Sequence, residues 1–324
     1  MTIIKTHDIT LYGGNDIDII LKPLCDDHLP LLYKWNSDLD VLYWTEGDDV
    51  NEPYGEDTVH CIYGGEKEKC LYFLIEINGV SIGECWLQKM NIPDVIAMYP
   101  PNTDIRRIDM SIGEKEYWNK GIGTQLIHML VDFAFNGEYV DVLHCFTYDY
   151  NKRSQRVFEK NGFTLVYKKI EKNTKTEYEY YYALTRKQYI ESRRKIISSD
   201  KIFMLPITKL QPSQLYISEG KLRLCLEWFD KNDILKMDAI PIKEFQGKHL
   251  MTDGHTRAVI AYQNGFDKIP CYIDEDNLNM KAYATDIKWC DEEGVIGIVD
   301  LVNRIIPHKD YERLWRKRCM EMNI

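Results

Sequence analysis

The chain has 324 residues, which is too long for one ordinary domain and about right for two. Hydrophobic residues make up 44% and charged residues 28%, so the composition excludes an intrinsically disordered chain. The formal net charge of −10 argues against broad nucleic-acid binding and tolerates, or favours, a cationic substrate.

Cysteine usage and the apolar segments indicate the compartment. The nine cysteines form no Cys-x-x-Cys pair and no Cys/His cluster, which excludes a disulfide framework and disfavours structural zinc. No window reaches the ~20 consecutive apolar residues of a membrane span, and the opening MTIIKTHDITLYGGND has no apolar signal core. We therefore expect reduced thiols and a cytoplasmic protein that does not interact with membranes.

The predicted elements divide the chain into a first region (1–185), a polar and basic linker (186–200) and a second region (201–324). In the first region, apolar runs and the hairpin signal Asn78-Gly79 predict strands at 17–21, 70–77, 80–87, 105–112, 139–147, 163–170 and 177–184. Helices are predicted after the cap at Asp26 and Asp27, at 121–135, and at 152–161 before Gly162. We expect an α/β (α+β) fold, a mixed sheet flanked by helices.

The most informative segment is WNKGIGTQL at 118–126, between a predicted strand and a long helix. Gly121 and Gly123 allow close approach of a ligand, and the helix N-terminus offers unpaired N–H groups, so together they predict a pyrophosphate cradle. The alternative is a glycine-rich turn without a ligand. The segment is neither a Walker A loop nor a Rossmann G-x-G-x-x-G motif.

Several stretches in order resemble the GNAT acetyltransferase superfamily, and most closely its aminoglycoside 6′-N-acetyltransferases, over residues ~10–185. These stretches are LLYKWNSDLDVLYWTEGDD (31–49), INGVSIGE (77–84), RRIDMSIG (106–113), NKGIGTQLIHMLVDFAF (119–135) and NKRSQRVFEKNGF (151–163). The resemblance implies that acetyl-CoA binds on this loop and on the strand before it. The implied cofactor-binding residues are Met110, Ser111, Ile112, Asn119, Lys120, Gly121, Ile122, Gly123, Thr124 and Asn151. The family usually has Gln or Arg where this chain has Trp118.

Acetyl transfer requires a deprotonated amine, a polarised thioester carbonyl and a departing thiolate. Asp109 matches the aspartate that aminoglycoside-type members place beside the amine, which implies that it holds the amine and accepts its proton. The alternative is that Asp109 faces solvent or pairs with Arg106 or Arg107. Backbone N–H groups of the strand at 110–112 would stabilise the oxyanion. Asn151 would contact the cofactor arm, and it also suits a helix N-cap.

The resemblance leaves the protonation of the thiolate open. Many members carry a tyrosine where this chain has Phe158, which has no proton to give. Tyr148 or Tyr150 could substitute, or the thiolate could leave unprotonated, because a thiol pKa of ~8.5 makes it a fair leaving group.

Residues 36–60 hold eight carboxylates and no Lys or Arg, interleaved with Tyr43 and Trp44. Such a segment would attract a cationic amine, although charge runs are commonly solvated surface. The residues predicted to bind the acceptor are Trp44, Glu46, Asp48, Asp49, Glu84 and Asp94. We expect direct transfer from acetyl-CoA to a primary amine of an aminoglycoside- or polyamine-like molecule, without a metal in this region. The alternatives are a peptide or protein amine, or a non-catalytic acetyl-CoA sensor with a partner-docking second region.

The second region is predicted to have strands at 203–210, 240–245, 249–252 and 269–273 and helices at 218–229 and from His255 to Gly265. With DGHTR at 253–257, it resembles the smaller ParB/sulfiredoxin-like α+β fold, whose corresponding turn binds nucleotide phosphates. Gly254 and the helix N-terminus would approach a phosphate, Arg257 would clasp it, and Asp253 could accept a proton or hold Mg²⁺; Thr256 completes the segment. The alternative is a structural turn in which His255 and Arg257 bond neighbouring backbone.

The C-terminal segment places Arg313, Arg316, Lys317 and Arg318 around Leu314 and Trp315. This pattern predicts an amphipathic helix that packs Trp315 inward and solvates its basic face.

Overall fold

The computed structural model describes residues 2–14, 17–64, 70–170, 176–194 and 197–322. The chain divides into two compact units, Met1–Tyr189 and Ile190–Ile324. Across the described ranges, none of the helices combines the length and apolarity that a membrane crossing requires.

The first unit is built on an eight-stranded mixed sheet in the order β1-β2-β3-β4-β5-β6-β8-β7. The strands are β1 (Leu11–Gly13), β2 (Ile19–Pro23), β3 (Leu71–Ile77), β4 (Val80–Lys89), β5 (Ile105–Ile112), β6 (Val142–Tyr148), β7 (Thr164–Ile170) and β8 (Tyr178–Thr185). All neighbours are antiparallel except β5 and β6. The predicted mixed α/β class is therefore confirmed.

The parallel pair β5–β6 opens the sheet. Pairing between them ends at Arg107 and His144, yet β5 continues to Ile112 and β6 continues to Tyr148. On its other edge β5 stays paired with β4 as far as Ile112. The second half of β5 therefore has one edge that is not used by the sheet, and this edge borders the site described below.

The helices that begin in the first unit are α1 (Leu29–Asn36), α2 (Leu39–Thr45), α3 (Glu56–Tyr63), α4 (Pro93–Ile96), α5 (Ile122–Asn136), α6 (Lys152–Lys160) and α7 (Arg186–Arg193). The helix predicted at 121–135 is confirmed as α5, and its residues Ile122, Leu126, Leu130 and Ala134 form a buried apolar face. The short helices α2, α3 and α4 were not predicted.

The first eight residues of the predicted linker form helix α7. Tyr189 anchors this helix: its ring stacks on Phe135 with centroids 4.6 Å apart, and its hydroxyl donates to Asp132 Oδ1 at 2.8 Å. One buried aromatic is enough to dock a helix whose composition shows no apolar stripe. Lys195 and Ile196 of the predicted linker lie outside the described residues.

The second unit is an α+β fold with a five-stranded sheet in the order β10-β13-β12-β14-β9 and a short parallel pair, β11–β15. Its strands are β9 (Phe203–Pro206), β10 (Leu210–Gln211), β11 (Ile217–Ser218), β12 (Ile240–Phe245), β13 (Lys248–Met251), β14 (Lys268–Ile273) and β15 (Ile305–Ile306). Its helices are α8 (Glu219–Leu226), α9 (His255–Gln263), α10 (Met280–Glu292), α11 (Ile298–Leu301), α12 (His308–Tyr311) and α13 (Lys317–Met320).

In the second unit, one predicted strand is broken and one predicted packing contact is observed. The strand predicted at 203–210 is broken at Pro206, after which a turn carries the chain from β9 at one edge of the sheet to β10 at the other. Proline lacks the N–H that a continuing strand would use. Trp315 is buried and packs edge-on against Trp289 of α10, as the predicted inward packing required.

Candidate functional site

One face of the β4–β5 pair carries six polar or aromatic side chains into a common space. Side chains alternate along a strand, and directly opposed residues in an antiparallel pair share a face. The register therefore groups Glu84 with Ser111, Trp86 with Asp109, and Gln88 with Arg107. All six line a cavity of about 570 Å³.

The lining of the cavity combines two chemically different groups of residues. The carboxylates of Glu46, Glu84 and Asp109 lie close enough together to affect one another's charge, and Glu179 is a further carboxylate in the lining. Gly121, Gly123 and Thr124 of the glycine loop also line the cavity, with Asn119 and Ile122. The predicted cofactor loop and part of the predicted acceptor site thus share one cavity, together with Met110, Ser111, Ile112, Asn151 and Trp44. Lys120 does not border it.

The glycine loop is shaped by left-handed backbone. Asn119 has φ 60° and Gly121, the N-cap of α5, has φ 77°, a region that favours glycine or asparagine. No side chain caps the first turn of α5. Gly123 allows close packing, since a Cβ there would lie 3.3 Å from Met110 Cε. The first turn of α5 therefore borders the cavity without a side-chain cap, an arrangement that suits an anion cradle.

Trp118 ties this loop to the end of β5. Its indole Nε1 donates to the carbonyl oxygen of Ile112 at 2.7 Å. The residue that departs from the family pattern thus contacts β5 directly and also lines the cavity.

Glu84 is a buried carboxylate in contact with aromatic donors. It accepts hydrogen bonds from the Trp86 indole and the Tyr63 hydroxyl. Burial raises its pKa to about 8, with further contributions from the charges of Asp109 and Glu46. A carboxyl group with such a pKa can take up a proton near neutral pH.

Asp109 lines the same cavity and pairs with Arg107. Arg107 Nε donates to Asp109 Oδ2 at 2.7 Å, and Arg107 Nη1 donates to Asn91 Oδ1 at 3.3 Å. Arg106 is buried and pairs instead with Asp104. Of the alternatives open from sequence, pairing with Arg107 is the one observed, and Asp109 still keeps 29% of its side chain exposed.

The acidic segment at 36–60 does not act as one surface. Asp38 and Asp40 both pair with Lys115, at 2.8 and 2.7 Å. Glu46 borders the cavity, and desolvation followed by the Asp109 charge raises its pKa. Asp48 and Asp49, like the exposed Asp94 on α4, lie outside the lining.

The β6–α6 turn holds the segment that carries Trp44 and Glu46. Tyr148 donates to the carbonyl of Glu46 at 2.9 Å and Tyr150 donates to that of Tyr43 at 2.6 Å. Asn151 Nδ2 donates to the carbonyl of Trp44 at 3.2 Å, while its Oδ1 caps α6. The hydroxyl protons of both tyrosines are thus committed to carbonyls, although both tyrosines had been considered as donors to the thiolate.

In the second unit, the side chains of the DGHTR segment have partners within the protein. His255 Nε2 accepts from the Ser213 N–H at 2.9 Å, and burial lowers its pKa to about 4. Arg257 donates to the carbonyl of Asp238 at 2.9 Å and to Asp253 Oδ2 at 3.1 Å. Gly254 has φ 83° and forms the N-cap of α9. These contacts favour the structural alternative, and phospholigand binding, for which Thr256 was also a candidate, stays a prediction.

Sequence reasoning missed Tyr63 and Arg153 as contributors to the cavity, and it did not choose between Arg106 and Arg107 as the partner of Asp109. Residues two apart on a strand share a face, so the Arg107–Asp109 pair could have been chosen over Arg106. Arg153 stands two residues after Asn151, inside a stretch already singled out, and lines the cavity. Tyr63 gave no signal in the sequence.

Part of the first unit is similar to known acetyltransferases. A family model described as "Acetyltransferase (GNAT) domain" matches residues 18–164. Aminoglycoside N(6′)-acetyltransferases type 1 from Klebsiella pneumoniae and Serratia marcescens are each 25% identical over 160 residues, covering 47% of this chain and 76% of theirs.

Solved structures cover a similar part of the chain. An aminoglycoside acetyltransferase AAC(6′)-Ib in complex with coenzyme A is 21% identical, with a TM-score of 0.43, covering 54% of this chain and 99% of that one. A spermidine N-acetyltransferase from Vibrio cholerae, in complex with CoA and spermine, is 17% identical, with a TM-score of 0.44, covering 53% and 98%.

Proposed function

We propose that the first unit, in which residues 18–164 match the acetyltransferase (GNAT) domain model, transfers the acetyl group of acetyl-CoA directly to a primary amine of a cationic small molecule. One observation carries the proposal: the lining of a single cavity combines a group of carboxylates with the N-terminus of helix α5. Such polarity suits an ammonium group facing an anionic cofactor.

At the cofactor end, the N–H groups of the loop at 119–124 would hold the diphosphate. The edge of β5 at 110–112, which β6 does not use, would offer N–H groups to the pantetheine arm and to the acetyl carbonyl. Acetyl-CoA supplies the acyl group as a thioester. The chain's own contribution there is to orient that thioester and to stabilise the oxyanion that forms on it.

At the amine end, we assign the two central carboxylates different tasks. Asp109, fixed by Arg107, would orient the ammonium group. Glu84, whose pKa of about 8 lies near that of a working base, would accept the ammonium proton. The free amine nitrogen then attacks the carbonyl carbon, and the C–S bond breaks. The nitrogen loses its second proton to water as the amide forms, and the sulfur leaves as a thiolate that can take a proton from water.

The acceptor class follows from charge and from relatives. The curated relatives act on aminoglycosides by name, and Glu46 adds a third carboxylate at the amine end, so we propose a polycationic amine, aminoglycoside- or polyamine-like. A peptide or protein amine is the competing acceptor, and acetyl-CoA sensing without turnover is the competing function. No contact described in the second unit favours one phospholigand over another, so phospholigand binding by this unit stays a prediction.

The test compares acceptors and one variant. CoA release is measured with a kanamycin-type aminoglycoside, with spermidine and with a lysine peptide at equal concentration; we expect turnover with one of the first two. Asp109→Asn should reduce kcat/KM for the amine by roughly 10²-fold, as loss of orientation at the reacting group implies, while the acetyl-CoA Kd is unchanged. Asp18→Asn, an exposed aspartate outside the cavity, is the matched control. Full activity of Asp109→Asn would remove Asp109 from the mechanism, and no turnover with any amine would favour sensing.

A further inference from the structure

Arg153 occupies the first turn of α6 and lines the cavity. Its guanidinium lies between two indoles: the carbon Cζ is 4.0 Å from the centre of the Trp44 ring and 5.0 Å from that of Trp118. Trp118 immediately precedes the glycine loop and is itself bonded to Ile112. The guanidinium is thus held beside the loop by rings from two separate segments.

The donors of this guanidinium have no partner in the part of the chain that the structure describes. Among the described residues, none accepts a hydrogen bond from Arg153 or forms an ion pair with it. Other arginines of the unit contrast with it: Arg107 pairs with Asp109, and Arg106 pairs with Asp104. In a chain of net charge −10, a cation that lines a cavity without a carboxylate partner has donors to offer to a ligand.

The ligand that fits such a group is a phosphate. A guanidinium binds two oxygens of a phosphate in one plane, and stacking on indoles leaves its edge N–H groups available. Because the rings already hold the group in place, little side-chain entropy is lost on binding. The proposed acceptor is cationic and would be repelled, whereas CoA brings phosphates to the adjacent loop.

We propose that Arg153 binds a phosphate of CoA and that the Trp44–Trp118 clamp positions it for this role. The inference rests on the proposed use of acetyl-CoA. Arg153 would add a side-chain contact to a loop that otherwise offers backbone N–H groups to the cofactor. A phosphate contact would then help the protein to distinguish CoA from ligands without phosphate.

The experiment measures dissociation constants by calorimetry for CoA, dephospho-CoA and pantetheine with the full chain. Arg153→Gln should weaken CoA binding by about 10- to 100-fold, the loss expected for a charge-assisted hydrogen bond, and should leave pantetheine binding within about twofold. Arg153→Lys keeps the charge but loses the planar fork, so we expect an intermediate loss. Arg156→Gln removes the same charge from an exposed position on the same helix and should change neither constant by more than about twofold.

Each outcome separates the two claims. If Arg153→Gln weakens the binding of dephospho-CoA as much as that of CoA, Arg153 contacts the diphosphate. If it weakens the binding of CoA but not that of dephospho-CoA, Arg153 contacts the 3′-phosphate. Both results support a phosphate contact. An equal penalty for CoA and pantetheine, or a CoA constant unchanged in Arg153→Gln, overturns the inference while the proposed function stands. If the unmodified protein binds no CoA, the proposed function itself fails. Melting temperatures of the three variants check that each is folded.

Discussion

Replacing Glu84 by glutamine tests the base that the structure supports. The side chain is 4% exposed, and its pKa of about 8 compares with 4.5 for an ordinary glutamate. At 1.36 kcal/mol per pKa unit, this difference corresponds to a penalty on the order of 5 kcal/mol for the ionised form in the folded protein. At pH 7 only about one molecule in ten carries the ionised base, so kcat/KM should rise with pH and level off above about 8.

Glu84→Gln keeps the shape of the side chain and removes its titratable carboxyl group. We expect kcat/KM to fall by roughly 10²- to 10⁴-fold and to lose the rising limb between pH 6 and 9, measured as CoA release at several pH values. Glu52→Gln, an exposed glutamate outside the cavity, should keep the profile of the parent protein. CoA binding by both variants shows that the fold is intact. If Glu84→Gln retained the rising limb, the base would lie elsewhere and the assignment would be wrong.

The same substitution has a consequence for stability with a definite sign. A carboxyl group whose pKa is raised by folding binds more protons in the native state than in the unfolded state between pH 4.5 and about 8. Its presence therefore makes stability decline as pH rises through that window. In urea denaturation, Glu84→Gln should have a higher free energy of unfolding than the parent protein at pH 8.5 but not at pH 4. An equal increase at both pH values would contradict a pKa that burial raises.

Three further substitutions probe other contacts. Burial raises the pKa of Asp286 on α10 to about 7, and its Oδ1 has no partner among the described residues. Asp286→Asn should therefore stabilise the protein by roughly 2–4 kcal/mol at pH 8 but not at pH 4, as measured by urea denaturation. Gly113→Ala would put a Cβ 2.1 Å from Trp35 Cγ and should cost about 3 kcal/mol by the same assay, whereas Gly55→Ala, with nothing within 4 Å, should be near neutral. Tyr148→Phe loses the bond to the Glu46 carbonyl and should raise the amine KM about fivefold with little change in acetyl-CoA KM.

The glycine loop and the α5 face could be predicted because their signals are local. The left-handed positions fall on Asn119 and Gly121, residues that tolerate them, and the apolar period of α5 is contained in one segment. Strand β5 was placed to the residue, since a period-two run bounded by turns is also local.

Features that depend on distant partners could not be predicted. Lys115 neutralises Asp38 and Asp40 from another part of the fold, which turned an expected substrate-attracting run into ion pairs. The raised pKa of Glu84 needs its burial beneath Trp86 and Tyr63, and the Arg153 clamp needs two tryptophans brought together by folding. In each case the sequence gives the residue type but not the neighbouring side chains, and those neighbours decide whether a charged side chain is paired, neutral or available to a ligand.

The amine end also explains why a cation should be preferred over a neutral amine. Arg107 offsets the charge of Asp109, Glu84 is mostly protonated below pH 8, and burial raises the pKa of Glu46 as well. An ammonium group placed among these carboxylates would stabilise ionised Glu84 and lower its pKa, since an opposite charge favours the charged form. Binding of the cation and ionisation of the base are therefore linked, so the base becomes available when its substrate arrives. A neutral amine would gain no such linkage, and acceptors should rank by the positive charge near the reacting nitrogen.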